Sequence, residues 1–96
     1  MTQHQRIQII GYFNKFRKDE DCASSAEEEW FDKWQKAKKA NDPKKIRHAE
    51  AKLDAAQNKV GDCTMAYSVI ETVLTLMDYK LIVDDDGLAV DIVPAE

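Results

Sequence analysis

Apolar residues recur at heptad spacing through the second half of the chain. Steps of seven from Ile46 lead to Leu81, and a second set runs from Ala49 to Met77. The combined series is Ile46, Ala49, Leu53, Ala56, Val60, Cys63, Tyr67, Ile70, Leu74, Met77 and Leu81. Such a/d spacing is typical of a helix that packs along another helix, as in a coiled coil. Because the phase does not change at Gly61, we expect one helix to continue through that glycine.

The start of this helix is indicated by the segment NDPKK. Asp42 is a suitable N-cap, and Pro43 suits the first helical position, where its missing N–H removes no hydrogen bond. A less regular seam lies upstream, at Ile9, Phe13, Phe16, Ala23, Trp30, Trp34 and Ala37. Helices over residues 2–40 and 43–79, joined by a turn at 41–42, predict a long antiparallel helical hairpin.

One segment of the first helix contains signals for a helix start. DEDCASSAEEEW holds two overlapping capping boxes, Ser24 with Glu27 and Ser25 with Glu28. A break or kink near residues 19–25 is therefore the alternative to a continuous helix, which the preserved heptad phase favours.

The hydrophobic period changes after residue 79. KLIVDDDGLAVDIV has two runs of aliphatic residues around an acidic Asp–Gly turn, which predicts a two-stranded β-hairpin over residues 80–93. We expect Leu88, Val90 and Ile92 to share one face of the second strand. The predicted fold is mainly α, a single domain over residues 1–96 with a C-terminal β-hairpin.

The second helix also has an apolar stripe beside its seam, formed by Ala66, Val69, Val73 and Leu76. A helix that is apolar nearly all round is usually buried on more than one side. Either the β-hairpin or a second copy of the chain would cover this stripe. We expect a homodimer in which four helices share the core.

Composition is that of a folded acidic protein. Of the 96 residues, 44% are hydrophobic and 33% charged, with a formal net charge of −4, which excludes a disordered chain. No apolar run approaches the roughly 18 residues of a membrane span, so we expect no membrane contact. The start, MTQHQRIQII, lacks the features of a secretory signal. We therefore expect a cytoplasmic location and reduced cysteines.

The charge is unevenly distributed. Residues 33–52 have a net charge of +6, and the rest of the chain has −10. The basic tip of the predicted hairpin holds Lys38, Lys39, Lys44, Lys45 and Arg47. Lys44 and Lys45 fall at a helix N-terminus, where the helix dipole opposes cations. Because this position lowers helix stability, it indicates a binding role for the two lysines, such as contact with phosphates or with an acidic protein.

Few residues suggest chemistry. Cys22 and Cys63 come out nearly opposite each other, which favours two small buried thiols and leaves a redox pair as the alternative. The two histidines, His4 and His48, have no nucleophile or metal-ligand pattern around them. The turn DDDG lacks the alternating ligands and the distal glutamate of a calcium loop. We predict no catalytic set, no metal site and no cofactor.

The predicted function is a non-enzymatic protein-interaction module that is homodimeric. Its partner would bind the aromatic and basic arm, with Trp30, Phe31 and Trp34 as anchors on one helix face. One alternative is a protein that contacts nucleic acid through the basic tip. Another is a small acidic inhibitor of the phage type, in which acids at 19–21 and 27–29 imitate a nucleic-acid backbone and block a host enzyme.

Overall fold

Two long antiparallel helices and a C-terminal β-hairpin form the molecule, in a computed structural model that describes residues 1–95. Helix α1 spans Gln3–Lys39, α2 spans Pro43–Leu76, and strands β1 and β2 span Tyr79–Val83 and Ala89–Pro94. The described part of the chain measures 58 × 22 × 21 Å. The predicted fold class is confirmed.

Helix α1 is continuous, so the break considered near residues 19–25 does not occur. Thr2 caps its N-terminus, because its side chain accepts the Gln5 N–H while the Gln5 side chain accepts the Thr2 N–H. Ser24 and Ser25 lie inside the helix, where their capping potential is not used. A local start signal is overridden here by packing along the seam.

The two helices are joined by a tight turn at Ala40 and Asn41. Asn41 has φ 52°, a left-handed conformation that asparagine tolerates better than most residues. Asp42 then caps α2, accepting the Lys45 N–H at 3.2 Å. As predicted, α2 passes through Gly61, which is exposed. It ends at Leu76 instead of residue 79, because Asp78 adopts φ 62° and turns the chain into β1.

The core follows the predicted seam. Its most buried members alternate between the helices, and Phe13 is fully buried. Buried seam residues are Phe13, Ala23 and Ala37 on α1 and Ala49, Ala56, Cys63 and Leu74 on α2. Phe13 packs edge-on against Tyr67, with ring centroids 5.7 Å apart. Met77, the last predicted seam member before the strand, is exposed because the helix has already ended.

The β-hairpin closes one side of the open end. Its strands pair antiparallel, and a register shift after Ile82 places Val83 opposite Ala89, so that Val90 has no partner. This bulge puts Ala89 and Ile92 in the core and leaves Val90 57% exposed. The expectation that Leu88, Val90 and Ile92 share one face is therefore wrong, because the extra residue interrupts the alternation of sides.

Asn14 attaches the hairpin to α1. Its side-chain amide donates to the Ala89 carbonyl at 3.0 Å and accepts the Ala89 N–H at 2.6 Å. At the hairpin turn, the Asp84 carboxylate accepts the backbone N–H groups of Asp86 and Leu88. Gly87 has φ 79°, and a Cβ there would lie 2.6 Å from the Arg17 guanidinium. The positive φ favours glycine at this turn, and a Cβ would in addition displace the end of the Arg17 side chain.

Candidate functional site

The two tryptophans of the tip lie on opposite sides of the helix pair. Trp30 packs edge-on against His48, with ring centroids 5.3 Å apart, whereas the Trp34 indole N–H donates to Glu50 at 3.2 Å. Positions 48 and 50 are about 200° apart around α2. Positions 30 and 34 are only about 40° apart around α1, but their indoles contact opposite sides of α2.

On the Trp30 side the tip has an open groove of about 510 Å³, called the tip groove below. It is lined by Trp30, Lys33, Lys36, Ala37, Ala40, Lys44, Lys45, His48 and Ala49. Ala37 and Ala49 are buried seam residues. Small side chains at these seam positions leave space beside the large indole, and that space is the groove.

The rim of the tip groove is cationic. Lys33 bonds Glu29 at 3.0 Å and lies 4.3 Å from the centre of the Trp30 ring, and Lys36 bonds Asp32 at 3.0 Å. Within residues 1–95, none of the ion pairs includes Lys44 or Lys45. The two lysines that the helix dipole disfavours are thus exposed and free to meet an anion.

The opposite side of the tip has a smaller aromatic cluster. Phe31 and Trp34 have ring centroids 5.7 Å apart, and the Lys38 ammonium lies 4.3 Å from the centre of the Trp34 ring. Phe31 is 45% exposed, while Trp34 is only partly exposed. Arg47 and Lys39 are exposed. The predicted anchors are therefore divided, with Phe31 and Trp34 on this side and Trp30 in the tip groove.

At the other end, the helices expose a contiguous apolar surface, called the open-end face below. It comprises Ile9, Tyr12, Met65, Val69, Val73, Leu76 and Met77. Tyr12, Val69 and Leu76 are 59%, 55% and 79% exposed. A shallow cleft of about 190 Å³ runs between the helices here, lined only by apolar residues and Tyr12.

The β-hairpin does not cover this face. It packs on the side of α1 that carries Asn14, and β1 lines a cleft with Glu71 and Thr75 of α2. Of the two covers considered for the stripe of Ala66, Val69, Val73 and Leu76, the hairpin is therefore excluded. Val69, Val73 and Leu76 stay exposed in the single chain.

A polar network crosses the middle of the seam. Arg17 donates to Glu20 and to the Tyr67 hydroxyl, both at 3.2 Å, and the Thr64 hydroxyl donates to Glu20 at 2.5 Å. Glu20 falls between Phe16 and Ala23 at seam spacing, but the sequence does not indicate its partners. An acid at a seam position is the signal for such a network, because a partly buried carboxylate requires donors.

The cysteines differ in exposure. Both are free thiols, Cys63 only 3% exposed and Cys22 exposed on the surface of α1. Burial raises the pKa of the Cys63 thiol above its ordinary value, with Lys59 opposing this effect. The expectation of two buried thiols is wrong for Cys22, because Ala23 occupies the seam there. The redox pair stays a prediction, and the unequal exposure of the thiols counts against it.

Residues 1–95 contain neither a membrane-spanning helix nor a metal-binding cluster. No helix in this range is both long and apolar enough to span a membrane. No group of three or more His, Cys, Asp or Glu side chains in it is placed to hold a metal ion. Among the acids of the two predicted clusters, Glu20 is bound within the seam and Glu29 is paired with Lys33. The acidic segment therefore offers fewer free carboxylates than its sequence indicates.

Comparison of the chain with protein-family models, with curated proteins and with solved structures finds no match in any of the three. The tip groove, the Phe31–Trp34 side and the open-end face are the candidate binding surfaces of residues 1–95.

Proposed function

We propose that the protein is a non-enzymatic interaction module that assembles as a homodimer through its open-end face. The observation that supports this most directly is the exposure of Tyr12, Met65, Val69, Val73, Leu76 and Met77 on one side of the helix pair. Contiguous apolar surface of this extent on a small protein is typical of an interaction site.

The charge pattern of α2 supports the same conclusion. Between residues 63 and 77 the only charged residue is Glu71, which lies on the hairpin side. The tip half of α2, by contrast, holds eight charged residues between positions 43 and 62. Helix faces exposed to water usually carry charged side chains. The near absence of charge in the second half of α2 therefore favours burial of that half in an interface.

The free energy gained by burying the open-end face is sufficient for association. Complete burial of one such aliphatic side chain is worth about 1.5–3 kcal/mol. With six side chains about half to four fifths exposed, two copies would gain roughly 10–20 kcal/mol. Association costs roughly 4–15 kcal/mol in lost freedom of motion, so the gain exceeds most of that range.

A second copy is the occupant that fits this face best. An isologous interface places the same patch of two copies together, and helices packed in this way form a four-helix bundle. The protruding side chains Met65 and Leu76 would enter the cleft between Tyr12 and Val73 of the other copy. The open-end face has no charged member, so no charge would be buried unpaired in such an interface.

The test is the mass in solution of the full chain and of two matched variants. Light scattering at several concentrations should give twice the chain mass of 11.0 kDa for the unchanged protein. Val69→Glu should give the single-chain mass. Val90→Glu is the control, because Val90 is 57% exposed on the hairpin, against 55% for Val69, and does not belong to the open-end face.

Two results would contradict the proposal. One is an unchanged protein that stays at the single-chain mass at every concentration. The other is a dimer that survives Val69→Glu but not Val90→Glu, which would place the interface on the hairpin. Circular dichroism of both variants must show the same helix content, so that loss of the dimer is not loss of the fold.

We propose a second interface, for a protein partner, on the Phe31–Trp34 side of the helical hairpin. Phe31 and Trp34, with Lys38 beside them, are the anchors on which a protein partner would dock. Aromatic side chains with an adjacent cation are common at the centre of such contacts. The test is a difference experiment, in which Phe31→Ala weakens binding of an identified partner while Tyr12→Ala does not.

A further inference from the structure

We infer that the tip groove binds single-stranded nucleic acid, with a base against Trp30 and with backbone phosphates at Lys36, Lys44 and Lys45. This site is independent of the open-end face and lies on the other side of the helices from Phe31 and Trp34. It therefore goes beyond the proposed function and does not rest on it.

The groove has the dimensions and the wall that a nucleotide requires. Its volume of about 510 Å³ lies within the range of roughly 300–1,000 Å³ typical of small-molecule sites. Trp30 forms one wall of the groove, and the His48 ring packs edge-on against it. The groove therefore offers an aromatic surface on which a nucleobase can stack. Stacking of a base on such a ring is tolerant of sequence, because every base has a π-face.

The charges suit the phosphates. Lys33, Lys36, Lys44 and Lys45 surround the groove, and Lys44 and Lys45 take part in no ion pair within residues 1–95. Lys33 covers a face of the Trp30 ring at 4.3 Å, an exposed contact that an entering base would replace. The lysine would then remain beside the base, where it can meet a phosphate.

The extent of positive charge favours a strand over a free nucleotide. Lys38, Lys39 and Arg47 do not line the groove, but they are exposed cations of the same tip. A free nucleotide would use only the groove, whereas a strand would contact the cations beyond it. An unpaired strand also offers bases that can stack on Trp30, which the paired bases of a duplex do not.

The experiment uses the tryptophans as reporters. Trp34→Phe leaves Trp30 as the only indole, and Trp30→Phe leaves Trp34 on the opposite side. An oligothymidylate of about ten nucleotides, which matches common single-strand site sizes, should quench Trp30 on binding and leave Trp34 unchanged. Trp30→Leu should weaken binding of the labelled oligonucleotide by about 5- to 150-fold, the loss expected for one stacked base.

Salt dependence tests the phosphate contacts. With three to four contacts, affinity should fall about 15- to 60-fold between 50 and 200 mM salt. Lys44→Gln/Lys45→Gln should reduce that fall to about 2- to 10-fold. Lys15→Gln/Lys18→Gln is the matched control, because it removes two exposed lysines of α1 away from the groove and should leave the salt dependence unchanged. Urea titration should show that the Lys44 and Lys45 variant is as stable as the unchanged protein.

Each other outcome would overturn the inference. If the oligonucleotide does not quench Trp30 fluorescence at low salt, it does not bind in the tip groove. Adenosine monophosphate bound as tightly as the oligonucleotide shows a free-nucleotide site. Duplex DNA or polyglutamate bound with the same affinity, without quenching of Trp30, shows a general attraction of polyanions to the tip.

Discussion

Replacement of Asn14 tests how the β-hairpin is attached to the helices. Its side chain donates to the Ala89 carbonyl at 3.0 Å and accepts the Ala89 N–H at 2.6 Å, and Ala89 is only 4% exposed. Asn14→Ala removes both hydrogen bonds, each worth about 0.5–1.5 kcal/mol, and leaves buried backbone groups without partners at about 1–3 kcal/mol. We expect the free energy of unfolding to fall by roughly 2–4 kcal/mol.

The assay is urea unfolding followed by circular dichroism. For a chain of this size that loss corresponds to a midpoint lower by roughly 1–2 M urea, since m is about 1–3 kcal/mol/M. Amide hydrogen exchange at Ile92, which is fully buried in β2, shows whether the hairpin alone detaches. Asn58→Ala is the matched control, because Asn58 lies exposed on α2 and its loss should change the stability by less than about 0.5 kcal/mol.

Asn14→Asp adds a pH dependence to the same test. The carboxylate would keep the acceptor but would face the Ala89 carbonyl with an oxygen, and only the protonated carboxyl can donate a hydrogen bond to that carbonyl. Because the folded state then binds a proton more tightly than the unfolded state, the stability of this variant relative to the unchanged protein should rise as pH falls from about 6 to 4. If Asn14→Ala lowers the free energy of unfolding no more than Asn58→Ala does, Asn14 does not attach the hairpin to the helices.

Four further predictions concern two glycines and the two thiols. Gly61→Ala should stabilise the protein by about 0.5–1 kcal/mol in urea titrations, since a Cβ there meets open space. Gly87→Ala should destabilise it by at least about 1 kcal/mol, because φ is positive and Arg17 must move. A thiol reagent should modify Cys22 quickly in the native state and Cys63 only after unfolding. Since burial raises the pKa of Cys63, stability should fall above about pH 8.5, and Cys63→Ala should remove that part of the fall.

The helical part of the fold could be predicted because one physical rule governs it. A seam that keeps its phase from Ile46 to Leu74 defines which side of each helix is buried, and neither Gly61 nor the capping signals at Ser24 and Ser25 outweigh it. The ends of the elements were less accurate. The end of α2 depends on one residue, Asp78, in a left-handed conformation that no periodic pattern announces.

The hairpin and the sites needed information that the sequence does not contain. Alternation put Val90 on one face with Leu88 and Ile92, but a bulge leaves Val90 exposed and buries Ala89 with Ile92. Trp30 and Trp34 are both seam residues, but heptad spacing alone does not determine which side of α2 each indole contacts. The Asn14 contact joins residues 75 positions apart, and nothing local predicts it.

The nested pairing of the two helices has a consequence for how the chain folds. Contacts beside the turn at Asn41 close a short loop, and each contact farther along the seam closes a longer one, at a cost in chain entropy that grows with separation. We expect structure to spread from the tip toward the open end, with docking of β2 on Asn14 last. Pulse-labelled hydrogen exchange during refolding would then show amides near Ala49 protected before those near Leu74.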